Sequence, residues 1–195
     1  MEKTSLQRLG IFLALALVLA ATRLHHVDVI PDASWGVFFL AGFWLRGSAR
    51  WAFVLLLAEA VVIDFLVITG QGLNFWTHYC VSPAYWTMPA YLGALWLGGS
   101  WLAAHHRGLK LSTLGMAAGA LLVSEAACYL ISNGSFYWLS ASVPLPRGTG
   151  AWLANLGDWY APFLGTTALY VGIGALLHVA AITLTHRTAT RALAH

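Results

Sequence analysis

Residues 78 to 80 read His-Tyr-Cys. A thiolate is both a nucleophile and a soft metal ligand. In an extended segment residues i and i+2 project to the same side, which sets the His78 imidazole beside the Cys80 thiol. A charged imidazole there favours the thiolate. Cys128, in the apolar stretch AACYL, reads instead as a small packing residue. Several roles are open to Cys80. A nucleophile paired with histidine needs an orienting third group and an oxyanion hole, yet no glycine-rich elbow follows the cysteine, and Pro83 opens the next segment. A disulfide to Cys128 suits an oxidising exterior, whereas a thiol relay would call for a C-x-x-C that is absent. A protein-only metal site needs three or four clustered ligands, and among His25, His26 and His78 no pair has zinc-site spacing. A metal that arrives inside its own macrocycle needs only one or two protein atoms and a broad aromatic pocket.

The elements that must position these residues are apolar. The 195-residue chain is 59% hydrophobic and 9% charged, with mean hydropathy +0.73, whereas about one quarter of the residues in soluble domains are charged. Such a composition reads as an integral membrane protein of about six spans, with no polar stretch long enough for a second domain. Apolar runs bounded by charges, Gly, Pro and His predict spans at 8–24, 32–46, 51–69, 84–105, 111–132 and 158–185 within one domain, 1–195. The segment 32–46 is short, since a helix of that length rises about 22 Å against about 30 Å of hydrocarbon. Charge retains it. With both termini cytoplasmic, Lys3, Arg8, Arg46, Arg50, Arg107, Lys110, Arg187 and Arg191 lie inside and only Arg23 and Arg147 outside, as the positive-inside rule requires. Without that span, seven of the ten basic residues would lie outside. The same single, scattered placement of basic residues excludes a phosphate-binding stripe, and with it a nucleic-acid partner.

This topology turns three loops outward, 25–31, 70–83 and 133–157. The first holds His25, His26 and Asp28, the second holds Cys80, and the third is long and rich in Trp, Tyr and turn formers. A loop of that length and aromatic content reads as a lid or binding wall, although Trp152 and Trp159 also suit an aromatic belt at the membrane surface. Glu59, Asp64, Glu125 and His178 fall at membrane depth, where ionisable groups suggest an ion or proton path. Glu59 and Asp64 stand about 140° apart around their helix and do not form one paired site. A proton-coupled transporter of a small solute is therefore one reading, and helix-to-helix hydrogen bonding by neutral acids is the structural alternative for each group. No GxxxxGK[ST] pattern occurs, so ATP hydrolysis by that route is outside this chain.

The residues also carry a resemblance. Six short spans with the N-terminus inside, the small pair Ala16 and Ala20 at close-packing spacing, and Cys80 in the loop before AYWTMPAYLGALWLGG resemble the BtuM-type solitary cobalamin transporters over nearly the whole chain. These are bacterial inner-membrane proteins akin to the S-components of energy-coupling-factor (ECF) vitamin transporters. The resemblance implies an all-α, S-component-like bundle of six transmembrane helices, with cobalamin as substrate and Cys80 as axial ligand of its cobalt. The outer loops and the outer halves of the later helices become the pocket, with His78, Tyr79, Tyr85, Tyr137, Trp138, Asn155 and Trp159 as lining candidates by position. A thiolate on cobalt would promote loss of an upper cyanide, which would make Cys80 a catalytic group as well as a ligand. The implied partners are the lipid bilayer and, through Ala16 and Ala20, an ATPase module of the energy-coupling type, or no protein at all.

Overall fold

A computed structural model describes residues 4–24, 30–106 and 108–192, with side chains through residue 185. His25, His26, Asp28, Lys3 and Arg107 lie outside the described residues. Among the described residues six α-helices follow in order: α1 Ser5–Leu24, α2 Ser34–Trp44, α3 Ala49–Gly70, α4 Met88–His105, α5 Leu111–Leu139 and α6 Thr149–Ala192. Short 3-10 turns at Arg46–Ser48, Phe75–Thr77 and Pro83–Thr87 join some of them. Four segments are long and apolar enough to cross a membrane: Ser5–Leu24, Arg46–Gly70, Leu111–Leu139 and Thr149–Thr185. Their outer faces are apolar as well. Leu13 and Leu17 of α1, Val54 and Val62 of α3, and Leu176 and Leu177 of α6 are exposed, an apolar surface of the kind that water disfavours and a bilayer accepts.

The short α2 is the centre of the bundle. It is only 11 residues long, about 16 Å, and it touches α1, α3, α4 and α6. Ser34, Gly36 and every residue from Val37 to Gly42 are buried, which explains a sequence that is apolar on all sides: a helix with no solvent face is hydrophobic all round. Its closest neighbour is α4, and two glycines permit the approach. A Cβ at Gly42 would run into the main chain of Trp96, and one at Gly99 would run into the carbonyl oxygen of Phe39 and the amide nitrogen of Phe43. Ser100 Oγ donates to the Gly42 carbonyl at 3.1 Å across the same contact. Gly99→Ala is therefore expected to force the two backbones apart and to destabilise the protein by about 1–3 kcal/mol. The check is the unfolding midpoint in detergent; Gly115→Ala, where a Cβ meets nothing within 4 Å, serves as the matched control.

The helices alternate in direction. Phe12 meets Trp51 and Arg23 meets Asp64, so α1 and α3 run parallel. Trp35 meets Tyr91 and Phe43 meets His106, which makes α2 parallel to α4, while the pairs Trp35–Phe163 and Phe43–His178 align α6 with α2. α5 is antiparallel to α4, with Thr87 hydrogen-bonded to Ser135 and Gly98 against Ser124. Consequently the start of α1 and the end of α6 share one end of the bundle, and the 71–87 segment lies at the other.

Two boundaries differ from the sequence reading. The segment 84–105 is not one helix: a 3-10 turn covers Pro83–Thr87 and α4 starts at Met88. Pro89 explains the break, because proline fits the first helical turn, where its missing N–H is not needed. The expected loop 133–157 shrinks to 140–148, since α5 continues to Leu139 and α6 begins at Thr149. Its turn formers face a partner helix instead of ending one. Asn133 donates to Asn155 Oδ1 at 2.9 Å and accepts from the Trp152 indole at 3.1 Å. The Arg147 guanidinium donates to the carbonyls of Trp138, Ser140 and Val143, satisfying the terminal groups that a helix end leaves open.

Candidate functional site

A cavity of about 490 Å³ opens at the 71–87 end of the bundle, among residues of α1, α3, the 71–87 segment and α4. Cys80 is in its wall, with His78, Tyr79 and Tyr85. The local fold explains why. Asn74 caps the turn at Phe75–Thr77 by accepting from the Trp76 N–H at 2.9 Å, and Phe75 is buried beside Ile68 and Val81. These anchors hold the chain on both sides of Cys80 and leave its side chain exposed. Cys128 is fully buried in the core, and both cysteines are free.

The imidazole does not act as expected. His78 Nδ1 accepts the Cys80 backbone N–H at 3.3 Å, so the ring orders the main chain of the loop, and its plane lies against Tyr79 with centroids 4.5 Å apart. The thiol itself is pushed above its ordinary pKa. Partial burial is the main cause and the negative Asp64 adds to it, while a hydrogen bond with Tyr79 and the positive Arg23 act in the opposite direction. Its surroundings therefore favour the neutral thiol over the thiolate that a charged His78 would stabilise.

The polar side of the cavity was not foreseen from the sequence as a unit. Arg23, at the end of α1, grips Asp64 of α3 in a bidentate pair, Nε to Oδ1 and Nη2 to Oδ2, both at 2.7 Å. Such forked pairs combine strength with fixed geometry. The same guanidinium reaches Asp32 Oδ2 at 3.0 Å and Ser34 Oγ at 2.8 Å. Asp32 in turn accepts from the Ser34 amide at 2.8 Å and so closes the start of α2. Tyr85 completes the network by donating to Asp64 Oδ2 at 2.7 Å. Arg23, Asp32, Asp64, Tyr85 and Tyr91 all line the cavity, so a charged network joins α1, α2 and α3 to the segment that carries Cys80.

The remaining candidates sit elsewhere. Tyr137 exchanges hydrogen bonds with the main chain of Gly148 at 3.0 and 3.2 Å. Trp138 packs edge-on against Trp152, and Asn155 is held by Asn133. These three brace the corner between α5 and α6, and none lines the cavity with Cys80. Trp159 is 54% exposed on the surface of α6. Of the ionisable groups at membrane depth, Asp64 is committed to Arg23 and Tyr85. Glu125 is fully buried in α5 with neither carboxylate oxygen hydrogen-bonded, and the Tyr160 hydroxyl lies beside it without reaching bonding geometry.

Chemically the cavity combines one soft sulfur donor, aromatic walls and a charged hydrogen-bonding side. Among the described residues no three His, Cys, Asp or Glu side chains gather into a metal-holding group, and Cys80 is the thiol sulfur donor in the cavity wall. The described residues thus form an all-helical protein with four helices long and apolar enough to cross a membrane and a polar cavity at one end. No protein-family model matches the chain, and no curated protein matches it.

Proposed function

We propose that this chain binds cobalamin at the outer face of a bacterial inner membrane and mediates its uptake, with the Cys80 sulfur as an axial ligand of the cobalt. The observation that carries this reading is the placement of Cys80: an exposed free thiol in the wall of a 490 Å³ cavity that also presents Tyr79, Tyr85, Tyr91 and the Arg23–Asp64 pair. That volume lies in the range of small-molecule sites. A corrinoid exceeds it, so one face of the macrocycle would cover the mouth, with cobalt over Cys80 and the amide edges toward Tyr and Asp groups. The resemblance to BtuM-type transporters supports the same assignment, as do the alternating helices, which put the start of α1 and the end of α6 at the end opposite the cavity. Sulfur ligation would also promote heterolytic loss of an upper cyanide, which would leave with the Co–C electron pair, take up a proton as hydrogen cyanide and be replaced by water, with cobalt kept trivalent. The energy source is either an ATPase module docked on α1 at Ala16 and Ala20, both half-buried, or none.

Uptake of cyanocobalamin into cells lacking their own cobalamin importer is the test: wild type restores uptake and Cys80→Ala does not. Glu125, fully buried in α5 with only the Tyr160 hydroxyl recorded beside it, supports the second reading. Uptake of another solute that follows a proton gradient, in the absence of any corrinoid and lost in Glu125→Gln, would favour proton coupling instead.

A pH dependence follows from the neutral thiol. Sulfur must lose its proton to bind cobalt, so ligation releases a proton and strengthens as pH rises, by up to about tenfold per pH unit below the thiol pKa. Titrating cobalamin binding between about pH 6 and 8 is expected to show this slope in wild type and none in Cys80→Ser. A flat wild-type profile would mean that sulfur does not bind the metal.

A further inference from the structure

A second cavity, of about 390 Å³, lies at the opposite end of the bundle, between α2, the α4–α5 connection, α5 and α6. Phe43, Leu102, Leu114 and Val171 make its walls apolar, and its polar boundary is basic or hydroxylic: Lys110, His106, His178 and Thr113. No Asp or Glu of the described residues lines it, so a negatively charged ligand meets no acidic side chain among them.

Two features mark where that charge would sit. The first is Thr113 Oγ1, which is buried without a hydrogen-bond partner. Hydroxyls elsewhere in these helices bond the carbonyl four residues back, as Thr22, Thr69, Ser124 and Thr167 do. Thr113 stands in the first turn of α5, where no helical carbonyl precedes it. A buried hydroxyl in this position needs an acceptor from outside the chain. The second feature is the amino-terminus of α5 itself, which has no side-chain cap at Lys110. A helix of 29 residues presents free N–H groups and positive dipole at that end, a combination that attracts phosphate.

We propose that this cavity binds an anionic phospholipid of the surrounding bilayer, independently of what the Cys80 cavity binds. One acyl chain fills the apolar space. The phosphate lies at Lys110 and the start of α5, and Thr113 Oγ1 donates to an ester or phosphate oxygen. Basic pockets between membrane helices hold lipid headgroups in this way. A lipid is the occupant because the cavity pairs an apolar interior with one cationic corner, matching a chain and a charged head in one molecule.

The test presents purified full-length protein in detergent with equal amounts of dioleoyl-phosphatidylglycerol and dioleoyl-phosphatidylcholine, and counts lipids retained per chain by native mass spectrometry. Wild type is expected to retain one phosphatidylglycerol and to prefer it about fivefold, the worth of one lysine near an anionic head. Lys110→Gln should bring the ratio close to one. Ala175→Trp, at an exposed position of the cavity wall, should remove the bound lipid by filling the space. Thr113→Val keeps the shape, loses the hydroxyl and should weaken retention without lowering stability, so the proposal stays testable if the tryptophan variant does not fold. Equal retention of the two lipids by wild type would overturn it. So would a preference untouched by Lys110→Gln and Thr113→Val, or a dimer that Ala175→Trp dissolves, which would make a second copy the occupant.

Discussion

Asp64→Ala is expected to lower the unfolding midpoint of the purified protein by roughly 6–20 °C. Asp64 and Arg23 are each only 14% exposed at the side chain, and removing one partner of a buried ion pair costs about 3–5 kcal/mol, because the other charge loses its closest compensation. For a chain of this size each kcal/mol is worth about 2–4 °C. The loss is not confined to one contact. Arg23 would lose its forked contact to α3, and the Tyr85 hydroxyl would lose the acceptor that ties the Cys80 segment to α3. Arg23→Met should be comparably damaging, since it strands Asp64 with Tyr85 alone. The double change Arg23→Met with Asp64→Leu should recover much of the loss, because replacing both charges by apolar groups removes the desolvation cost together with the attraction. If the double variant is as unstable as the sum of the singles, the two residues act separately and the pair is not the unit that holds this end together.

The helices were legible in the sequence to the extent that their boundaries are written in one residue type. α1 and α3 end where apolar runs meet Arg23, Arg46 and Gly70, and those limits were readable to within a few residues. Helix ends that depend on a distant partner were not. Asn133 and Ser135 are turn formers by local preference, yet Asn133 is satisfied by Asn155 and Trp152 of α6, and α5 runs straight through them. The charged network was missed for a related reason. Arg23 reads by itself as a marker of membrane sidedness and Asp64 as a proton group, and 41 residues separate them. One signal was available: two parallel spans that enter from the same side set residues near their far ends at similar depth, so an Arg and an Asp there are natural partners. The exposure of the Cys80 thiol was legible because it stands in a polar break between apolar segments. Its titration was not, since the burial that raises its pKa comes from neighbours supplied by α3 and the turn around it.

The second large effect is at that thiol. Ligation by sulfur changes the electronic field at cobalt, whereas a serine hydroxyl keeps the shape but is a hard, neutral and poor ligand. Cys80→Ser should therefore weaken cobalamin binding by about tenfold or more, the scale on which metal sites respond to altered ligation. Cys128→Ala, which shortens a buried residue that has no access to the cavity, should leave binding nearly intact. The most direct measurement is the absorption spectrum of cobalamin bound to purified wild type and to Cys80→Ser, recorded with the affinity of each. The expected result is a wild-type spectrum unlike that of the free vitamin, with the difference lost in the serine variant. Identical spectra and equal affinities in the two proteins would contradict sulfur ligation and leave Cys80 incidental to the cavity.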